Sequence, residues 1–200
     1  MSYALQDLFN DQDPNLVHDT VASLLAWVPG ESKARRAQPF RFALDHSTGG
    51  AISTLQVDLT WDLNVLKQRV PGLEQHVKRL STGQSVQREH VTELAAYGLA
   101  FVAICLLMPG RRVKTVRLGL PPDLLFDVTP TSLRGVEVAG RKTGGRSAFA
   151  RIRNGVGAKP GKPVKQGKRQ QIIARTEIAE AHISLWCASP RISIMEQVKP

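Results

Sequence analysis

Cysteine is scarce in this sequence, with only Cys105 and Cys187 among 200 residues. Both lie in apolar surroundings far apart in the chain. They read as buried free thiols of a cytoplasmic protein, not as a disulfide framework. Neither a CxxC nor an HxxxH spacing occurs, which argues against a zinc site. A GxSxG elbow and a cysteine in a polar, activating context are both missing, so serine- and cysteine-based nucleophilic catalysis is disfavoured. His18, His46 and His76 are isolated and read as surface or capping residues, and His182 opens an apolar stretch and reads as structural. Long apolar runs are lacking too. The longest apolar one, Leu94 to Met108, is 15 residues without a charge, short of the roughly 18 to 20 that cross a bilayer, so it reads as a helix buried on all sides. Asp7, Asp11, Asp13 and Asp19 give the first residues the wrong charge for a signal peptide.

Acids are also in short supply. Against 27 Lys and Arg stand 17 Asp and Glu, giving a net charge of +10 and a pI of about 10.1. Such a balance points to a polyanionic partner, nucleic acid before an anionic membrane. The basicity is local: from Arg141 to Arg175 there are eleven positive residues and no acid. A run of this kind is usually a solvated loop. Its position just after two acid-bearing strands favours an arm that tracks phosphates through Lys142, Arg146, Arg151, Arg153, Lys159, Lys162, Lys165 and Arg169. Phe149 is its one aromatic, so stacking on single strands is not suggested.

The patterning predicts an N-terminal α+β lobe over 1–82 and a second domain over 83–200 with the basic loop 141–175, the boundary falling at the small, polar stretch Ser81–Ser85. In the lobe, residues 4–10 and 14–27 read as helices, Phe40–Leu44 and Ile52–Trp61 as a hairpin, and Asp62–Val70 and Gly72–Leu80 as two short helices. In the second domain a helix over Ser85–Met108 precedes strands at Arg111–Leu118, Leu124–Val128 and Gly135–Ala139. A short helix at Ala148–Asn154, a helix over Arg169–Glu180, a strand over His182–Ala188 and an edge strand over Arg191–Val198 follow. The stretch Gly140–Ser147 is one residue away from the phosphate loop GxxxxGK[ST]. Arg146 stands where that loop needs lysine, and too little chain follows for the usual parallel sheet, which argues against nucleotide hydrolysis.

Two neighbouring strands each carry an acid, Asp127 and Glu137, and a short turn between them could place both on one face. Two converging carboxylates suit a hard divalent cation that also binds substrate phosphate. The plainer reading is a pair of solvated strand-end residues. The order helix, three strands, helix, strand, with acids on the second and third strands, resembles the PD-(D/E)xK, restriction-endonuclease-like superfamily over about residues 86–188. The resemblance implies an α/β fold with a restriction-endonuclease-like core. It implies Asp127 and Glu137 as ligands of Mg²⁺ or Mn²⁺, Glu93 completing the metal site from the preceding helix, and DNA or RNA as the partner. Lysine is expected two residues after Glu137, where Ala139 stands. In this superfamily the lysine can move to the following helix, which nominates Lys168 to orient the attacking water. Lys142 and Arg146 would hold the phosphate. Two outcomes stay open: a metal-dependent phosphodiesterase, or an inactivated nuclease fold serving as a non-catalytic scaffold of a larger assembly, with protein partners docking through the N-terminal lobe.

Overall fold

The computed structural model of the chain describes residues 1–27, 38–82, 88–117, 119, 121–127, 132–157 and 165–200, with only the backbone described at 88–90 and 165. The chain opens with β1 (Ser2–Ala4), a 3₁₀ turn over Leu5–Asp7, α1 (Leu8–Asp11) and α2 (Pro14–Trp27). Asp13 starts α2 by accepting the Asn15 amide at 2.9 Å, and Pro14 occupies the first turn, where its missing N–H costs nothing. Next come β2 (Phe40–Thr48) and β3 (Ala51–Thr60), joined by Gly49-Gly50. Both glycines sit at positive φ, 62° and 90°, as a two-residue hairpin turn demands. The connection is thus only two residues long, and Asp45 lies inside β2, beyond the expected strand end at Leu44. α3 (Leu63–Arg69) is capped by Asp62, which accepts the amides of Asn64 and Val65, and α4 (Leu73–Thr82) follows.

α5 (Arg88–Leu107) is apolar around its whole circumference over its C-terminal half, so it is buried between α2 on one side and the sheet on the other. This is the 15-residue charge-free stretch. Among the described residues no helix is long and apolar enough to cross a membrane. After α5 come β4 (Thr115–Val116), β5 (Leu124–Asp127), β6 (Leu133–Thr143), α6 (Gly145–Asn154), the small pair β7 (Gly155–Val156) and β8 (Lys165–Gln166), α7 (Lys168–Ile173), β9 (Ile178–Ser189) and β10 (Ile192–Lys199). The helix expected to run to Glu180 ends at Ile173 instead. From Ile178 the chain is pulled into the sheet by parallel pairing with β6, which begins at Leu133↔Ile178. The strand expected over Arg111–Leu118 keeps only Thr115 and Val116 as ladder residues.

Eight strands form one mixed sheet in the order β1-β3-β2-β10-β9-β6-β5-β4. β4, β5 and β6 are successive antiparallel neighbours, β9 runs parallel to β6, and β10 returns antiparallel to β9. The N-terminal hairpin joins through a parallel pairing of β2 with β10. Residues 1–82 and 88–200 therefore share one sheet, and they share one core as well: Leu24, Phe42 and Leu59 pack in the same cluster as Phe101, Val138 and Trp186. The expected boundary at residue 82–83 borders residues outside the described set. The helices α1, α2, α4 and α5 cover this face. On the other face α6 and α7 bury Phe149 and Ile172 against Ile183, Leu185 and Cys187. The molecule is α/β in three layers. At Gly140 the approach of α5 to β6 is so close that a Cβ would stand 2.9 Å from the Thr92 carbonyl oxygen.

Candidate functional site

The site is built where β5 and β6 run antiparallel. Leu124 pairs with Val136. Asp123 comes just before β5, and its carboxylate lies close enough to Glu137 for the two charges to interact. Val136 and Val138 point into the α5-side core, so Glu137 between them points to the α6–α7 side. Glu137 is only 1% exposed. Its Oε1 forms an ion pair with Lys168 Nζ, delivered from the first turn of α7. Its Oε2 is buried and has no hydrogen-bond partner among the described residues. An unsatisfied buried carboxylate oxygen is costly, and such an atom calls for a ligand.

Asp123 is 7% exposed, and its Oδ2 accepts the Val138 amide at 2.8 Å. Burial and the neighbouring Glu137 charge push its carboxyl up to about 7, opposed by the Val138 amide and the Lys168 ammonium. Tyr97 is buried on α5 close to Asp123; burial first, then the charges of Asp123 and Glu93, drive the phenol pKa upward. Two carboxylates and an ammonium are thus gathered at the margin of β5 and β6, with Lys168 arriving from the α7 side and Tyr97 from the α5 side. Among the described residues, no group of three or more His, Cys, Asp or Glu side chains is arranged to hold a metal. The two-carboxylate set fits the alternative that Mg²⁺ commonly uses, one or two acids with substrate phosphate and water supplying the rest.

Glu137 and Lys168 are brought together as expected. Asp127 is not the acid that joins them. A register irregularity between Leu125 and Asp127 pairs Asp127 with Arg134, three residues along β6 from Glu137. Its side chain is half exposed, 3.8 Å from Arg134. Asp123 is the acid whose charge interacts with Glu137 and Lys168 instead. The signal available in the sequence was Pro122-Asp123 immediately before the strand. Glu93 lies on α5, one turn before Tyr97, and is exposed; its charge bears on the Tyr97 phenol. Ala139, where lysine was expected, is packed against the α6–α7 core, which leaves Lys168 as the ammonium at Glu137.

The basic residues separate into groups. Arg146 does not stand free for phosphate: its Nε and Nη2 bind Asp45 Oδ2 at 2.8 and 2.7 Å. Arg153 and Arg169 share the buried Glu196, at 3.1 and 3.6 Å. Lys142 and Arg151 are exposed. Lys159, Lys162 and the side chain of Lys165 lie outside the described residues. In the stretch that resembles a phosphate loop, residues up to Thr143 continue β6, and the Gly145 amide donates to Cys187 Sγ at 3.3 Å. Compared with known proteins, the chain matches no family model, no curated protein and no solved structure.

Proposed function

We propose that this chain binds nucleic acid and hydrolyses its phosphodiester bonds with Mg²⁺ or Mn²⁺, on a restriction-endonuclease-like core. The observation that carries the reading is Lys168 Nζ seated on buried Glu137, with Asp123 close by and Glu137 Oε2 without a partner among the described residues. The helix α5, the antiparallel strands β4, β5 and β6, the helices α6 and α7 and the parallel strand β9 follow the order the resemblance implied. Pro122-Asp123 precedes the second of those strands, and Glu137 is on the third, which suits the motif better than Asp127 did.

In this reading Asp123 and Glu137 would hold the cation, through the oxygens that Val138 and Lys168 leave open. A bound divalent cation supplies a water of lowered pKa and neutralises charge that develops on the phosphate. Lys168 would orient that water and would offset the second carboxylate charge, the part expected of the lysine missing at Ala139. Tyr97 would brace the Asp123 carboxylate from α5. The exposed Lys142 and Arg151 would contact the backbone of the nucleic acid.

The alternative is a retired nuclease fold that acts as a scaffold. One observation favours it: Arg146, Arg153 and Arg169 are committed to acids, which reduces the charge offered to phosphates. Labelled duplex DNA incubated with the protein and Mn²⁺ at low salt separates the two. Cleavage lost in Glu137→Ala and Asp123→Asn but kept in Asp127→Asn supports the enzyme. Intact DNA with every protein supports the scaffold.

A further inference from the structure

We propose that Arg117 and Arg175 form a phosphate subsite beside the acidic pair, shaped for a backbone phosphate of a nucleic acid. The inference rests on the reading above, because it assigns that site's substrate contact. The geometry begins with register. Thr115 pairs with Leu125 and Val116 with Leu124 across β4 and β5, and the Arg117 amide donates to the Asp123 carbonyl at 2.7 Å. Arg117 is therefore opposite Asp123. The Asp123 carboxylate in turn lies close to Glu137 and Lys168. The pairing thus sets Arg117 on the strand beside the segment that carries Asp123.

The Arg117 side chain is held in place without being neutralised. Its Nη2 donates to the Pro121 carbonyl at 3.1 Å, and its Nε is buried with no partner among the described residues. The same Pro121 oxygen accepts Arg175 Nη1 at 2.8 Å, from the segment just after α7. Two guanidiniums thus converge on one neutral oxygen. Arg175 is balanced by Glu177, which accepts its Nε at 2.6 Å, while Arg117 makes no ion pair with an acid among the described residues. Two like charges brought this close, with a buried N–H left unsatisfied, favour an anion. Guanidinium is the group whose planar fork fits phosphate through two parallel hydrogen bonds. A phosphate there would bind the accessible edges of the two guanidiniums, on a residue paired with the segment that carries Asp123.

Two titrations test this on the full chain. The first adds inorganic phosphate and reads the thermal midpoint of wild type, Arg117→Gln and Arg117→Lys. The second measures binding of a labelled duplex, without divalent cation, across salt concentration. Phosphate should raise the wild-type midpoint, and Arg117→Gln should abolish the rise. In the second titration Arg117→Gln should weaken binding about tenfold and reduce the salt slope by about one unit, as for one lost phosphate contact. Arg117→Lys keeps the charge but not the fork, so it should fall between the two, and it is the variant to read if Arg117→Gln does not fold. A wild-type midpoint indifferent to phosphate, or affinity and slope unchanged in both variants, would overturn the subsite. If phosphate acts through Arg117 while no duplex binds, the subsite stands and the nucleic-acid reading falls.

Discussion

Lys168 holds one oxygen of Glu137, and burial isolates the other, so this carboxylate depends on a single cation. Taking Lys168 away strands a buried charge. Breaking a buried ion pair from one side costs about 3 to 5 kcal/mol, and the one-third exposure of the Lys168 side chain lowers the expected loss to about 2 kcal/mol. Lys168→Ala should show this in urea denaturation, and adding Glu137→Gln should restore most of it. A double variant no more stable than the single one would mean that the pair is not coupled. Asp123 gives the opposite signature. Its folded-state carboxyl is raised from the ordinary 3.8 to about 7. Between those values the folded protein holds a proton that the unfolded chain has released, so stability falls as pH rises from about 4 to 7. In metal-free protein, Asp123→Asn should flatten that fall. The measurement is the urea midpoint at pH 5 and pH 8; an equal decline in both proteins would remove Asp123 as its source.

At the scale of elements, the placement of Lys168 depends on a close contact behind it. Gly167 precedes α7, and a Cβ there would lie 2.2 Å from the Arg153 carbonyl oxygen and 2.3 Å from the Gly155 amide nitrogen. Neither is a flexible side-chain tip, so backbone must move. Gly167→Ala should displace α7, separate Lys168 from Glu137 and cost about 1 to 3 kcal/mol by overpacking. If Mn²⁺-dependent cleavage is present in the parent, the variant should lose it by more than the unfolded fraction explains. Cleavage unchanged in a folded Gly167→Ala protein would separate α7 from the chemistry. The bulge in β5 is the second such device. Asp123, Leu125 and Asp127 have the same parity, and strict alternation would put all three on one face. The irregularity after Leu125 moves Asp127 to an exposed position beside Arg134 and leaves Asp123 alone with Glu137. The sequence offered two acids at the ends of one strand, and periodicity cannot distinguish them because a bulge is decided by both strands together.

For the molecule as a whole, the sheet is continuous across the boundary that composition suggests. β2 and β10 pair in parallel, and an aromatic cluster joins them: Trp186 of β9 lies 6.1 Å from Phe40 and 5.8 Å from Phe42, ring centre to ring centre. α5 is covered by α2 from the first segment. Residues 83–200 alone would expose that face of α5 and leave β10 an uncovered edge, two defects that favour aggregation. The isolated segment should lack the dispersed amide spectrum of a packed fold, and the full chain should unfold in one transition. Two separated transitions in calorimetry would show that the halves are independent units.

The order of the main elements was legible in the sequence because most announce themselves locally, whereas the short strands β1, β7 and β8 were not read there. Pro14 opens α2, Asp62 caps α3, Gly49-Gly50 turns the hairpin, and α5 lacks charge from Leu94 to its end. Glu137 and Lys168 were legible as candidates through the succession of strand and helix. What only the tertiary structure decided was pairing. Strand register selected Asp123 over Asp127. The fold of the N-terminal segment onto β10 made one sheet. Contacts between residues far apart in the chain, Asp45 with Arg146 and Glu196 with Arg153 and Arg169, took three arginines of the basic run out of the free charge. Charge along a sequence is a local count, whereas neutralisation depends on which surfaces meet. That meeting is set by how two packed faces of a sheet bury their apolar side chains.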